Sequence, residues 1–182
     1  RRWLNLGPSD IIWNSSDTGW AKSAYGSVFS PWICGACVFI HHMPVFQPEI
    51  IGETLSKYPI TTFCTAPTAF LMLVKYDVSR YKFQSLKHCV TGGEALNPEV
   101  FSQWKAQTGV EIHEGYGQSE TVAICANLKG MKIKPGSLGK PVPPYDVQIV
   151  DEHGAVVPQG EEGTIAIRVK PTRPFCLFSE YL

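Results

Sequence analysis

The sequence predicts an α/β fold, a largely parallel sheet with flanking helices, followed by part of a small antiparallel β-barrel subdomain. Two observations predict it. Short apolar runs alternate with helical patterns from about residue 37 to residue 125, whereas the chain after about Lys134 contains Pro- and Gly-rich connections between short alternating runs. Successive strand, helix and strand units favour parallel strands joined by right-handed crossovers.

Four apolar runs are the strand candidates of the first part, and three helices are predicted between them. The strand candidates are Cys37–His41, Thr61–Thr65, Lys87–Thr91 and Val110–His113. The helices begin at Pro48, Pro67 and Pro98, because proline suits the first turn of a helix. The third helix has the clearest boundaries, since Asn97 can cap its start and Gly109 can end it.

The second part is predicted to be antiparallel. Its apolar runs alternate with polar residues over Asp146–Asp151, Ala155–Val157 and Thr164–Val169, and glycines between the runs supply the turns. We therefore expect residues 1–134 to form the α/β part of a large domain. Residues 135–182 are expected to form a β-rich subdomain of the same domain.

Composition and charge exclude several classes of protein. With 44% hydrophobic and 18% charged residues, the 182-residue chain can form one globular unit with a core. Sixteen basic and sixteen acidic residues balance to zero net charge, so nucleic acid is not expected as a partner. No apolar run approaches the roughly 20 residues of a membrane helix, so no transmembrane segment is expected. The start lacks a signal-like apolar region, and we interpret the chain as an internal piece of a longer protein.

Six cysteines raise a metal or redox hypothesis only at Cys34 and Cys37, which have CxxC spacing without a second pair. Both lie in an apolar segment, so we interpret them as small hydrophobic residues. His41 and His42 follow an apolar run without a ligand at metal spacing, which favours a strand end.

Two glycine-containing runs lie where predicted strands end. Thr91–Glu94 begins at the end of the third strand candidate, and Glu114–Thr121 follows the fourth. Ligands of parallel sheets bind beyond the carboxyl ends of the strands, so both runs are expected to reach one cleft. Glycine lets the backbone approach a ring or a phosphate closely, although a tight turn would also explain Gly92 and Gly93.

The second run also carries side chains suited to a nucleotide and its metal. Tyr116 offers a flat surface for adenine, and Ser119 offers a hydroxyl to a phosphate oxygen. Glu120 offers a carboxylate to Mg²⁺, which binds through one or two carboxylates together with substrate phosphates. Two simpler interpretations remain open. Glu120 could be a solvated carboxylate at a helix start, and Trp20 could be a core aromatic residue.

Together these motifs resemble those of the AMP-forming acyl-CoA synthetase and adenylate-forming ligase superfamily. Within it the chain is most similar to the medium-chain acyl-CoA synthetase family, over essentially all 182 residues. The motifs that carry the resemblance are Ser16–Trp20, Tyr81–Phe83, Val90–Glu94, Tyr116–Thr121, Met131–Gly136 and Tyr145–Ile149.

The resemblance implies a set of site residues. Those implied to bind ATP or AMP are Gly93, Glu94, Ala95, Glu114, Gly115, Tyr116, Gly117, Gln118 and Ser119. Ser119 and Glu120 are implied to be catalytic, with Glu120 holding magnesium. Ser119 stands where threonine is usual, and it keeps the hydroxyl. Trp20, Gly117 and Ser119 are implied to border the acyl substrate. Gly117 lies where short-chain acetyl-CoA synthetases carry a tryptophan, so a deeper pocket is expected.

The implied function is that of a medium-chain fatty acid:CoA ligase in the mitochondrial matrix. Such an enzyme activates a small carboxylic acid with ATP and Mg²⁺ to an acyl-adenylate and transfers the acyl group to coenzyme A. Two alternatives stay open: a non-catalytic or truncated relative that keeps the pocket, and an adenylating enzyme with another acceptor. The family's phosphate loop and adenylation lysine are expected outside residues 1–182, so this segment alone is expected to be inactive.

Overall fold

The computed structural model describes residues 2–181, and these residues form a seven-stranded sheet and a separate two-stranded sheet. The strands of the large sheet are β1 (Ile11–Asn14), β2 (Cys37–Phe39), β3 (Thr62–Thr65), β4 (His88–Gly92), β5 (Ile112–Gln118), β6 (Val122–Ala126) and β7 (Lys140–Pro141). Their spatial order is β2-β1-β3-β4-β5-β6-β7. The first five pair in parallel, and β6 and β7 are antiparallel to their neighbours.

Helices connect the parallel strands. A continuous helical segment after β1 consists of α1 (Ala21–Ala24), a π-helical turn (Tyr25–Phe29) and α2 (Ser30–Cys34). The later crossovers contain α3 (Pro48–Lys57), α4 (Pro67–Tyr76), a 3₁₀ turn (Val78–Arg80) and α5 (Pro98–Thr108). The sheet is buried on both sides, so β3 and β4 are buried at every position. The larger core cluster joins α3, α4 and α5 to the sheet, with Trp13, Phe63, Phe70 and Trp104 among its members.

The predicted fold class is confirmed, and the cause of the helix boundaries is visible in α5. The side chain of Asn97 accepts a hydrogen bond from the Glu99 amide at 2.8 Å, which satisfies one of the free amides of the first turn. Gly109 ends the helix at φ +74°, a left-handed conformation that favours glycine. Three of the four strand candidates coincide with β2, β3 and β4 to within two residues at each end.

The fourth strand candidate was placed too early and made too short. The sequence predicts Val110–His113, whereas β5 runs from Ile112 to Gln118 and contains the first five residues, Glu114–Gln118, of the run that was expected to follow it. The reason is a tertiary one, because β6 returns beside β5 and pairs with Gly115–Gln118. Neither β1 nor β6 was predicted.

The second part of the chain has the predicted antiparallel character. Strands β8 (Val147–Val150) and β9 (Thr164–Ile167) pair antiparallel, and Val150 also bridges to Val156. Strand β7 lies after residue 134 but pairs with β6 of the large sheet. The division of the domain at residues 134 and 135 stays a prediction.

Cys34 and His41 take part in ordinary packing. Cys34 is buried, Cys37 is exposed and both are free thiols. His41 stacks on Trp13 with ring centroids 5.7 Å apart. Within residues 2–181, no group of three or more metal-ligating side chains comes together. In the same range, no helix has the length and apolar character needed to cross a bilayer.

Two buried histidines lie side by side on β4 and β5. The rings of His88 and His113 lie 4.3 Å apart, and each hydrogen-bonds a backbone carbonyl, of Trp3 and of Asn127 respectively. Burial lowers the pKa of His88 to about 4, and the hydrogen bond to Trp3 opposes that shift only in part. Burial also lowers the pKa of His113. Both imidazoles are therefore neutral in the folded protein at neutral pH.

We predict that the protein loses stability as the pH falls from about 6.5 to about 4. In this window the unfolded state binds a proton at His88 and the folded state does not, so acid favours unfolding. The slope should be on the order of 1 kcal/mol per pH unit. Urea unfolding of the full-length protein at pH 7.5 and pH 5 should show a smaller loss for His88→Gln than for the unmodified protein. Equal losses would contradict the prediction.

Candidate active site

The two glycine-containing runs meet at the carboxyl edge of the parallel sheet. In the register of β4 with β5, Thr91 lies opposite Glu114 and Gly92 lies opposite Gly115. The chain then leaves β4 through Gly93, Glu94 and Ala95, all of which are exposed. The adenine-side loop and the phosphate-side hairpin implied by the resemblance thus extend from adjacent strands.

Glycine is required at this edge for two different reasons. A Cβ at Gly92 would lie 2.5 Å from the carbonyl oxygen of Gly115, and a Cβ at Gly115 would lie 2.6 Å from the Trp3 ring. The lack of a side chain at these two positions allows β4, β5 and the Trp3 indole to pack closely. Gly93 is different, because it has φ +97° and open space where a Cβ would be. Only Gly93 leaves room there for a ligand to approach the backbone.

Glu114 anchors the loop that follows β4. Its side chain is buried and accepts a hydrogen bond from the Leu96 amide at 3.0 Å. Burial raises the pKa of Glu114, and the hydrogen bond from Leu96 lowers it in part. Leu96 directly follows Gly93–Ala95, so this hydrogen bond to Glu114 anchors the end of the loop.

Ser119 and Glu120 form the tip of the β5–β6 hairpin. The Gln118 amide donates to the Thr121 hydroxyl at 2.9 Å, and the Thr121 amide donates to the Gln118 carbonyl at 3.1 Å. Ser119 is exposed and Glu120 is half-buried. The alternative that Glu120 starts a helix is therefore wrong, since the hairpin pairing of β5 with β6 places it in a turn.

The base of this hairpin is sterically tight. The β5–β6 register shifts between Tyr116 and Gly117, and Val122 has φ +59°. A Cβ at Gly117 would overlap the carbonyl oxygen of Val122. Positive φ is rare for a β-branched residue and marks a conformation held by its surroundings. Tyr116, one residue earlier, is half-buried on the same strand.

Contacts from the C-terminal part of the chain hold the hairpin tip. The Tyr145 hydroxyl donates to the Thr121 carbonyl and also lies 3.2 Å from the Cys176 carbonyl. The Phe178 amide donates to the Glu120 carbonyl at 2.9 Å. Burial raises the pKa of Tyr145, which keeps the hydroxyl protonated and able to donate. The sequence placed Tyr145 in a motif but gave no sign of this contact.

Trp20 lies on the other side of the same edge, beyond β1. It precedes α1, its amide donates to the Asp17 carbonyl at 3.1 Å, and its side chain is 70% exposed. The alternative that Trp20 is a core residue is therefore wrong, because the turn from Asp17 directs the chain away from the core.

A polar layer that sequence reasoning missed underlies these loops. The Thr91 hydroxyl donates to the Thr65 carbonyl at 2.8 Å, and the Ser15 hydroxyl donates to the Thr65 hydroxyl at 2.7 Å. Lys22 reaches the end of β4 and donates to the Gly92 carbonyl at 3.0 Å. In the sequence, this layer was visible only as polar residues at the ends of three apolar strands.

The donor set suits magnesium held mainly by a nucleotide. Glu120 supplies one carboxylate at the hairpin tip, and the Ser119 hydroxyl is its neighbour in the chain. Because residues 2–181 bring no three ligating side chains together, a complete protein cage is not available in them. Mg²⁺ commonly binds through one or two carboxylates plus substrate phosphates, and this arrangement fits that pattern.

Comparison with known proteins identifies the family. The model of the AMP-binding enzyme family matches residues 1–182. The chain belongs to the AMP-binding enzyme family. It is 63% identical to the human mitochondrial acyl-coenzyme A synthetases ACSM4 and ACSM3, covering 100% of this chain and 31% of each relative. The chain thus spans about a third of the length of these curated relatives.

Solved structures of the family share the fold. A Brucella canis acyl-CoA synthetase superposes with a TM-score of 0.86 at 31% identity, covering 96% of this chain and 32% of that one. The anthranilate CoA ligase AuaEII, solved in complex with anthranoyl-AMP, superposes with a TM-score of 0.82 at 33% identity, covering 93% and 33%. These likenesses confirm the resemblance drawn from the motifs.

We predict that Tyr145→Phe lowers the free energy of unfolding by about 1–3 kcal/mol, because it leaves the buried Thr121 carbonyl without its donor. Tyr58→Phe is the matched control, since Tyr58 is 40% exposed and its hydroxyl can be solvated in either state. Chemical unfolding of the two variants measures the difference. Equal stability of Tyr145→Phe and the control would show that the hydroxyl does not hold the hairpin.

Proposed function

We propose that the chain is part of a medium-chain fatty acid:CoA ligase that uses ATP. The observation that carries the proposal is that the open Gly93 loop and the hairpin carrying Ser119 and Glu120 extend from adjacent strands at one sheet edge, in a chain of the AMP-binding family. The family and the complex of a related ligase with anthranoyl-AMP support adenylation chemistry. The names of the relatives support an acyl-CoA product and a mitochondrial location.

Residues at the edge are proposed to have separate roles. The loop Gly93–Ala95 and the Tyr116 ring bind the adenosine, with the loop held from below by Glu114. Gly115, Gly117 and Gln118 form the strand from which the phosphate-side turn projects. Trp20 and Gly117 border the acid, and the acyl chain extends past them.

The chemistry proceeds in two steps. The carboxylate oxygen of the acid attacks the α-phosphorus of ATP, and the bond to the β-phosphate breaks, which releases pyrophosphate and leaves an acyl-adenylate. The coenzyme A thiol, losing its proton, then attacks the acyl carbonyl carbon and AMP leaves. The Ser119 hydroxyl would orient the reacting oxygens, and the Glu120 carboxylate would hold Mg²⁺. When bound, Mg²⁺ neutralises phosphate charge, so the protein contributes mainly positioning and electrostatics.

Two assays separate this proposal from the open alternatives. Acid-dependent exchange between ATP and pyrophosphate by the full-length protein would establish adenylation, and its absence would favour a non-catalytic relative. Formation of octanoyl-CoA would then establish coenzyme A as the acceptor. Adenylation without acyl-CoA formation would favour another acceptor.

We predict that Ser119→Ala slows adenylation roughly tenfold to a hundredfold, since one hydrogen bond to a charged oxygen contributes about 1.5–3 kcal/mol. Glu120→Gln should be slower still and should recover partly at high Mg²⁺, because it removes the charge of the metal ligand. Pyrophosphate exchange in the full-length protein measures both. The exposed residues Ser102 and Glu53 provide matched controls, Ser102→Ala and Glu53→Gln. If the site variants behave like the controls, the hairpin tip has no catalytic role.

A further prediction separates the two roles of Gly117. Gly117→Ala should lower kcat/KM for acetate, butyrate and octanoate alike, because its methyl group meets the Val122 carbonyl. Gly117→Trp has the same Cβ and should share that general loss. In addition it should lose activity selectively on octanoate, since the indole fills the acyl pocket and each lost methylene contact is worth about 0.8 kcal/mol. Full activity of Gly117→Ala would contradict the backbone contact. A chain-length profile that is unchanged in an active Gly117→Trp would contradict the pocket assignment.

A further inference from the structure

Lys22 is a charged residue at the carboxyl edge that lies two positions beyond the Ser16–Trp20 motif. Its backbone is fixed to the end of β1. The Asn14 side-chain amide donates to the Lys22 carbonyl at 3.0 Å, and the oxygen of the same side chain accepts from the Ser16 amide at 3.1 Å. Gly26 packs against Asn14 so closely that a Cβ there would lie 2.5 Å from its amide nitrogen. These contacts therefore fix the backbone position from which the Lys22 side chain extends.

The ammonium group of Lys22 reaches a different strand. It donates to the Gly92 carbonyl at 3.0 Å, at the end of β4, although β3 lies between β1 and β4 in the sheet. The pairing of β3 with β4 ends at Thr65 and Thr91, one residue before Gly92. The side chain thus crosses the end of β3 and binds a carbonyl that lies beyond the β3 ladder.

The environment of Lys22 favours a fixed position for its charge. The side chain is half-buried, and burial lowers its pKa while the nearby Cys64 and Glu94 raise it in part. A partly buried ammonium group is stable only where its N–H groups donate hydrogen bonds and a negative charge lies near it. The Gly92 carbonyl, at the end of β4, accepts from the ammonium group, and Glu94 in the loop that follows supplies the opposite charge.

The loop after β4 therefore has two side-chain anchors. Lys22 holds its start at Gly92, and Glu114 holds its end at the Leu96 amide. Gly93 between them has φ +97° and no neighbour within 4 Å of a Cβ position, so packing does not fix its peptide groups. Loss of either anchor leaves the exposed residues of the loop free to take other backbone conformations.

We propose that Lys22 is a positioning residue for the nucleotide, acting through the Gly92 carbonyl to hold the loop Gly93–Ala95 in its binding conformation. The inference rests on the proposed function only in assigning this loop to adenosine. In this role Lys22 acts through the Gly92 carbonyl and the loop that follows it, so its loss weakens nucleotide binding more than it slows chemistry.

The test compares Lys22→Met, which keeps the length of the side chain without its donors, with Lys22→Arg, which restores a charged donor. AMP binding to the full-length protein is measured by calorimetry, and kcat and KM for ATP are measured with octanoate. We expect Lys22→Met to weaken AMP binding about tenfold, as for the loss of one charged hydrogen bond, and to raise KM for ATP more than it lowers kcat. Lys22→Arg should recover most of the AMP affinity. Lys75→Met, at an exposed position of α4, is the control and should bind AMP normally.

Three results would overturn the proposal. Unchanged AMP affinity in Lys22→Met would show that the loop does not depend on the lysine. A fall in kcat without a change in AMP affinity would place Lys22 in the chemistry. Equal loss of AMP binding and of melting temperature in Lys22→Met and Lys22→Arg would show a purely structural role. If the unmodified protein binds AMP but makes no acyl-adenylate, the ligase proposal fails, and the AMP affinities still decide the role of Lys22.

Discussion

The parallel register of β4 with β5 is the constraint on which the candidate site depends. It places Gly92 opposite Gly115, and the absence of side chains at both positions lets the two strands and the Trp3 indole approach closely. Because the strands run in parallel, the segments that leave them emerge at the same edge. The loop Gly93–Ala95 and the second half of β5 thereby become neighbours, although about twenty residues of chain separate them.

The hairpin tip depends on the β-rich part of the chain. Ser119 and Glu120 lie in a turn whose carbonyls accept from the Tyr145 hydroxyl and the Phe178 amide. Those donors come from segments that follow the large sheet in the chain, so they link the C-terminal part of the chain to the proposed phosphate side of the site. The positive φ of Val122 is maintained by the same contacts together with the pairing of β5 and β6.

The two charged side chains beneath the edge, Lys22 and Glu114, are each paired with a backbone group at one end of the loop after β4. Lys22 and Glu114 each hold one end of the loop after β4, and the Thr65 and Thr91 pair satisfies polar atoms between them. Such contacts are valuable in a partly buried setting, because an unpaired polar group there is costly. The exposed surface of the loop and the hairpin is accessible to a ligand, while hydrogen bonds on their buried side fix their positions.

The sequence by itself determined the α/β class, the three crossover helices and the family. These follow from local signals: apolar periodicity, proline at helix starts, the Asn97 cap and contiguous motifs, all of which can be read without knowing what lies beside them in space. The tertiary structure decided the rest. The extent of β5, the turn at Glu120, the exposure of Trp20 and the contacts of Lys22 and Tyr145 depend on β6 returning beside β5 and on side chains reaching partners 24 to 70 residues away. Such partners are set by register and burial in three dimensions, which no short stretch of sequence contains.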